Sequence, residues 1–168
     1  RLLGGILAGG RLKRQILMTK PEYKDLTKLE VIELNNSINH ISSLNGDNFP
    51  IYDLGYTANT CLARTLKAIK GVIEKIVDEE KPLEKKKDEF HKRRKNALKE
   101  LEGDAAEEMR SEFEAESISL RDERKAWLDE TVEKVKLYII KWSDVKYRGQ
   151  CPPPTILSGL DPILDYGE

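Results

Sequence analysis

The stretch TCLARTLKAIKGVIEKIV, residues 60–77, decides the fold class of this chain. Apolar side chains recur in it at three- and four-residue steps, which is the spacing of one face of an α-helix. The sequence therefore predicts a long helix that begins near Asp53 and buries one side. The predicted seam is Leu62, Leu66, Ile69, Ile73 and Ile76, with Ala58 and Val77 beside it and Cys61 and Thr65 as core neighbours.

A shorter helix is predicted before this one. Thr27 and Glu30 have the spacing of a capping box, in which each side chain accepts a hydrogen bond from a free backbone N–H group at the helix start. The apolar stripe that follows predicts a helix to about Leu44, with a turn at residues 45–48 and an extended entry at residues 49–51. Its members are Val31, Leu34, Ile38 and Ile41. The two helices are expected to pair antiparallel as a hairpin body over residues 18–82.

Residues 83–131 are expected to form a charged helical arm. Pro82 lacks a backbone N–H group and predicts a kink or a short break in the helix at that position. A thin apolar line then runs along Leu83, Phe90, Ala97 and Leu101, and Gly103 suits a helix C-terminus. The returning residues Ala106, Met109 and Phe113 have the spacing to pack against that line. The arm is therefore predicted to be an antiparallel, coiled-coil-like pair of helices that rejoins the body near Trp127.

The basic run Lys92, Arg93, Arg94 and Lys95 in the arm suggests a nucleic-acid contact. Acidic residues precede and follow this run, and it has no aromatic partners on which bases could stack. A solvated helix face explains the run better, so we expect nucleic-acid binding to be the less favoured interpretation.

The C-terminal part, residues 132–168, changes character. Residues 132–142, VEKVKLYIIKW, alternate with a period of two and predict a strand, and residues 145–147 predict a second short strand. In the longer strand, Val135, Leu137 and Ile139 are expected on one face. Three prolines at residues 152–154 predict an extended segment, and residues 155–160 a helical turn. This part is expected to pack on the body, which makes the fold mainly α with a small β element.

Composition excludes several classes of function. The chain carries 29 basic and 30 acidic residues, a net charge of -1, which is unlike a generic basic nucleic-acid binder or an acidic tail protein. Charged residues make up 35% of the chain, above the roughly 25% of an ordinary domain, so much of the chain faces water. Cys61 and Cys151 are 90 positions apart, and neither they nor His40 and His91 have metal-ligand spacing.

No nucleotide-binding, hydrolase or zinc-protease motif occurs in the sequence. We therefore expect no catalytic residues, no cofactor, no metal and no membrane span. Residues 1–17 carry four basic residues, no acidic residue and a short apolar run interrupted by glycines. Two interpretations stay open: a leader upstream of a functional start at Met18, and a translated part of the protein, for instance a signal peptide.

Four segments together resemble a family of phage proteins. They are Phe49-Pro50-Ile51, Glu79-Glu80-Lys81-Pro82, Trp142-Ser143-Asp144-Val145 and Leu160-Asp161-Pro162-Ile163-Leu164. In this order, from about Leu26 to Leu164, the chain resembles an uncharacterised virion-morphogenesis family of Gram-positive siphophages. The resemblance implies a structural or assembly role in the virion or the host cytoplasm, with no catalytic residues to carry over. The region from Lys95 to Leu128 is longer here than in that family.

Three functions follow from these expectations. The first is a non-enzymatic phage structural or assembly protein that binds virion or assembly proteins. Its partner surface is expected at Phe49, Pro50, Ile51, Trp142, Pro152, Pro153 and Pro154. The second is a counter-defence or host-regulatory protein that sequesters a host factor, and the third is a nucleic-acid-binding accessory protein. A homo-oligomer is a further expectation if the apolar line from Leu83 to Leu101 pairs with another copy.

Overall fold

The computed structural model describes residues 20–43, 51–100 and 104–167, and it confirms a mainly α fold. The helices of this part are α1 (Lys28–Ser42), α2 (Tyr56–Glu100), α3 (Asp104–Leu128) and α4 (Pro154–Ser158). The strands are β1 (Glu22–Thr27), β2 (Tyr52–Asp53), β3 (Thr131–Leu137), β4 (Ile140–Lys141), β5 (Arg148–Gly149) and β6 (Leu164–Asp165). The expected leader, the turn at residues 45–48, Phe49, Pro50, Leu101 and Gly103 lie outside the described residues.

The capping box at the start of α1 is confirmed. Thr27 Oγ1 accepts a hydrogen bond from the Glu30 backbone N–H at 3.2 Å, and Glu30 Oε2 accepts one from the Thr27 N–H at 2.7 Å. These two bonds satisfy donors that would otherwise lack partners in the first turn. The start of α1 therefore lies at the predicted residue, and all four members of its apolar stripe are buried.

Helix α2 packs its seam against α1, as predicted. Leu62, Ile69 and Ile76 are almost fully buried, and Leu66 and Ile73 pack against the same core. Cys61 and Thr65 are also buried, in line with their predicted place beside the seam. The prediction for Val77 is wrong, because 49% of this residue is exposed. One position along a helix rotates a side chain by about 100°, which turns Val77 away from the core that buries Ile76.

Of the two alternatives predicted at Pro82, a kink or a short break, the short break is absent. Helix α2 runs without interruption from Tyr56 to Glu100, across the position where the sequence placed the boundary between body and arm. Pro82 is exposed, so water can solvate the Asp78 carbonyl that loses its helical hydrogen bond. Ile76 before the proline and Phe90 after it are both buried. Packing on both sides of Pro82 therefore offsets the local cost of the proline.

The outer part of α2 and helix α3 form the antiparallel arm. The rings of Phe90 and Phe113 meet edge to face, with centroids 5.8 Å apart. Lys86 Nζ lies 2.5 Å from Glu123 Oε1, and Arg93 pairs with Glu116 further out. Phe90 is 2% exposed, so the thin apolar line closes within one chain. The pairing that the sequence predicted is thus made between these two helices.

The strands form three two-stranded pairs in the described part of the chain. β1 and β3 pair antiparallel, a partner for β3 that the sequence did not reveal. The pairing contains a bulge near Asp25, whose Oδ1 accepts the Lys134 backbone N–H at 2.9 Å. β2 pairs with β5 antiparallel, and β4 pairs with β6 parallel. The long predicted strand is thus present, but it ends at Leu137 and pairing resumes at Ile140.

Two details of the predicted strands need correction. Residues 145–147 form no strand, because Lys146 donates its N–H to the Leu54 carbonyl at 2.9 Å and the short strand is Arg148–Gly149 instead. Ile140 is buried at 1% exposure, whereas Ile139 is only partly buried. The break between β3 and β4 shifts the alternation of inward and outward side chains by one residue. Ile140 therefore reaches the core in place of Ile139.

Candidate protein-binding surface

The structure separates the residues that the sequence assigned to a partner surface. Ile51, Trp142, Pro153 and Pro154 are exposed. Pro152 is buried, which contradicts its expected place on that surface. The chain turns into helix α4 directly after Pro153, and a proline at the first helical position costs no hydrogen bond. The three prolines are therefore not a free extended segment that a partner could bind along its length.

Trp142 lies in a cluster of exposed aromatic rings with Tyr147 and Tyr166, called here the aromatic cluster. The centroid of the Trp142 ring is 6.3 Å from that of Tyr147, at an angle of 73°, and 5.4 Å from that of Tyr166, at 40°. Exposure is 37% for Trp142, 38% for Tyr147 and 59% for Tyr166. The cluster thus presents a large amphipathic surface to water.

The parallel pairing of β4 with β6 brings two of these rings together. Ile140 lies opposite Leu164 and Lys141 opposite Asp165, so Trp142 and Tyr166 each follow their strand at the same level. Ile140 and Leu164 are buried, which fixes this register on the core. Tyr147 comes next to Trp142 because the Val145 N–H bonds to the Trp142 carbonyl and closes a short turn.

The surroundings of the two tyrosines, burial first and hydrogen bonds second, favour their neutral form. Partial burial raises the pKa of Tyr166, and the hydrogen bond to Asp161 and the charge of Asp161 raise it further. The Tyr166 hydroxyl donates to Asp161 Oδ1 at 2.9 Å. Burial also raises the pKa of Tyr147, followed by its hydrogen bond with the Cys151 thiol. Both phenols are therefore neutral at physiological pH and offer polar edges beside apolar faces.

Sequence reasoning found Trp142 but missed Tyr147 and Tyr166. Tyr147 was assigned to a strand, and Tyr166 lies 24 positions after Trp142. Only the parallel β4–β6 contact brings these residues together, and no local pattern marks it.

The basic run in the arm lies on an exposed part of α2. Lys92, Arg93, Arg94 and Lys95 are all exposed, and Arg93 pairs with Glu116 of α3. The charged residues among residues 107–116 of α3 are mostly acidic, with Arg110 and five glutamates: Glu107, Glu108, Glu112, Glu114 and Glu116. These carboxylates oppose the approach of a nucleic-acid backbone. His91 directly precedes the basic run and is exposed, and its ring meets that of Phe90 edge to face with centroids 5.4 Å apart.

A groove of about 260 Å³ lies between the two helices of the arm. Its floor is formed by Leu83, Phe90 and Leu120, and charged side chains line its edge. Several of these charges pair with one another, for example Arg124 Nε with Glu84 Oε1 at 4.0 Å and Lys87 Nζ with Glu84 Oε2 at 3.7 Å. The groove is therefore an apolar cleft whose edge carries partly paired charges.

Among residues 20–43, 51–100 and 104–167, no cluster of histidine, cysteine and carboxylate side chains has a geometry that would hold a metal ion. In the same ranges no helix combines the length and the apolar character needed to cross a membrane. Cys61 is buried and Cys151 exposed, and no disulfide joins them. Comparisons with protein families, curated proteins and solved structures found no match to this chain.

Proposed function

We propose that this protein acts by binding another protein, without catalysis, as a structural or assembly component of a phage particle. The aromatic cluster carries the binding part of the proposal. The phage part rests on the resemblance of residues 26–164 to a virion-morphogenesis family. Neither part requires a cofactor or a metal.

Exposure of three neighbouring aromatic rings to water is unfavourable in free energy for a protein that has no binding partner. Tryptophan and tyrosine are enriched in protein interfaces, and a few such residues supply most of the binding free energy. The register of β4 and β6 also holds the cluster in place. A surface that is already ordered loses less conformational entropy on binding than a mobile loop would.

The long arm suits the same role. Helix α2 has 45 residues and therefore rises about 68 Å at 1.5 Å per residue. It joins the core of the body to the far end of the arm as one rigid element. We propose that the aromatic cluster binds a neighbour while the arm sets the spacing between components.

Mass spectrometry of purified phage particles tests the assembly role. A fixed copy number per particle is the expected result. If the protein is abundant in infected cells but absent from particles and from their assembly intermediates, the structural role is wrong and sequestration of a host factor takes its place.

A pull-down with tagged protein from infected cells tests the binding surface. Trp142→Ala is expected to lose the partner with little change in melting temperature. Tyr23→Ala is the matched control, because Tyr23 is 62% exposed on β1 and lies outside the aromatic cluster. Equal capture of the partner by both variants would show that the aromatic cluster is not the binding surface.

A further inference from the structure

We propose that the aromatic cluster receives a cationic side chain, arginine or lysine, from the protein that it binds. This inference rests on the proposed function and adds the chemistry of the partner. The face of an aromatic ring carries partial negative charge and attracts a cation placed within about 6 Å of its centroid. Trp142 has the strongest such face among the three rings.

Other rings of the body already hold cations from the same chain. Lys28 Nζ lies 4.7 Å from the centroid of the Trp127 ring. Arg64 and Lys136 lie 5.6 Å and 5.8 Å from the centroid of Tyr138. In the described ranges no lysine or arginine stands over Trp142, Tyr147 or Tyr166. No cation of the described residues thus occupies these rings.

Both acidic and basic side chains lie around the aromatic cluster, and the acidic ones are the groups that could bind a cation. Lys141 lies opposite Asp165 in the β4–β6 pair, and Arg148 lies opposite Asp53 in the β2–β5 pair, so these basic residues have acidic neighbours. The remaining acidic residues are Asp144 and Asp161. The remaining basic ones are Lys146 and Lys24, whose ammonium group donates to the Pro162 carbonyl at 2.9 Å.

Asp161 is the acidic group best placed to assist. The Tyr166 hydroxyl holds its carboxylate at 2.9 Å and so fixes it beside the edge of the aromatic cluster. A carboxylate has acceptor capacity left after one hydrogen bond, and a guanidinium can use it with both ends of its donor fork. A side chain stacked on the Trp142 ring could therefore meet Asp161 with its charged end. An acidic side chain would meet repulsion at the same position.

Nuclear magnetic resonance of the full chain can test this directly, because the indole N–H groups of its two tryptophans report separately. Trp142 is exposed, whereas Trp127 is 9% exposed beneath Lys28 and serves as an internal control. The probes are three matched short peptides with blocked ends, which differ in one central residue: arginine, glutamate or leucine. The arginine peptide is expected to shift the Trp142 signal with a Kd on the order of 1–10 mM and to leave Trp127 unchanged.

Two variants make the test specific. Asp161→Asn should weaken the arginine peptide about threefold or more, through loss of the charge. Asp122→Asn is the matched control, an exposed aspartate on α3, and should have no effect. Tyr166→Leu, which keeps apolar area but removes the ring, should also weaken binding several-fold.

The inference is overturned if the leucine or glutamate peptide shifts Trp142 as strongly as the arginine peptide, or if the arginine peptide causes no shift. It is also overturned if Asp161→Asn binds like the unmodified chain. These outcomes can be distinguished from a failure of the proposed function. When Trp142→Ala loses the partner but the arginine peptide does not bind, the binding surface stands and the cationic partner chemistry fails.

Discussion

Lys28 Nζ lies 2.7 Å from Glu79 Oε2 and joins the first residue of α1 to the middle of α2. The same ammonium group lies 2.6 Å from Glu130 Oε2, in the turn between α3 and β3. It also stands over the Trp127 ring. Lys28 is 7% exposed, so one nearly buried cation connects the body with both helices of the arm. The orientation of the arm therefore depends on this contact as well as on apolar packing.

Removal of the Lys28 charge should destabilise the protein. Lys28→Ala leaves Glu79 and Glu130 without their cation and removes the aliphatic stem that packs on Trp127. We expect a loss of about 2–3 kcal/mol in the free energy of unfolding, below the range for fully buried pairs because both carboxylates retain contact with water. Lys28→Met is the control, since it keeps the stem and should cost less. Equal losses in the two variants, measured by urea unfolding, would show that the charge contributes rather than the packing.

The same contact predicts a pH dependence. Burial lowers the pKa of Lys28, but hydrogen bonds and charge interactions with Glu130 and Glu79 outweigh this and raise it above its usual 10.5. The hydrogen bond from Lys28 lowers the pKa of Glu79 below its usual 4.5, despite some burial. A raised lysine pKa stabilises the fold below pH 10.5 and less as the pH rises through the raised value. A lowered glutamate pKa stabilises it above pH 4.5 and less as the pH falls through the lowered value.

The difference in melting temperature between the unmodified chain and Lys28→Met should therefore be greatest between these limits. It should shrink both in acid and in strong alkali. Because the two proteins share their exposed carboxylates and lysines, the titration of those groups cancels in the difference between the melting temperatures. A melting-temperature difference that stays constant from about pH 3 to about pH 11, a range that extends beyond both ordinary pKa values, would contradict this account.

Pro82→Ala should stabilise the protein. It restores the backbone N–H group that can bond to the Asp78 carbonyl within a helix that is already continuous. Proline in a helix interior costs about 3 kcal/mol relative to alanine, and part of that cost has been relieved here by solvation of the carbonyl. We expect a gain of about 1–2 kcal/mol by chemical denaturation. Lys81→Ala, at the neighbouring position, is the control and should lack this gain.

Gly159→Ala should destabilise the protein through crowding. A Cβ atom at this position would lie 2.1 Å from Ser37 Oγ and 3.0 Å from the Glu33 carbonyl oxygen, both on α1. The backbone at Gly159 is helical, so steric contact and not strain is the cause. We expect a loss of about 1–3 kcal/mol. The double variant with Ser37→Gly should recover much of the loss, and no recovery would contradict the proposed clash.

Thr65→Val should test a buried polar contact. The Thr65 hydroxyl oxygen accepts the Tyr138 backbone N–H at 3.1 Å, just after β3 ends. Valine has a similar volume but no acceptor, so the buried N–H would lose its partner at a cost of about 1–3 kcal/mol. Thr65→Ser is the control that keeps the acceptor. Faster hydrogen exchange at Tyr138 in the valine variant alone would support this role, and unchanged exchange would argue against it.

The helices follow from the sequence because their determinants are local. A helical hydrogen bond spans four residues, so the Thr27–Glu30 capping box and the seam from Leu62 to Ile76 can be recognised in short stretches of sequence. The return of α3 along α2 could also be predicted, since Phe90 and Phe113 have matching apolar positions on either side of a turn.

Tertiary structure alone decided the rest. The pairing of β1 with β3 joins residues more than 100 positions apart, and no local sequence pattern in either strand identifies the other as its partner. The same holds for the aromatic cluster, where the β4–β6 register places Tyr166 against Trp142. Pro82 shows the converse, because a strong local signal for a break was overruled by packing on both sides. Local periodicity determined where the helices form, whereas long-range packing determined which helices and strands contact one another.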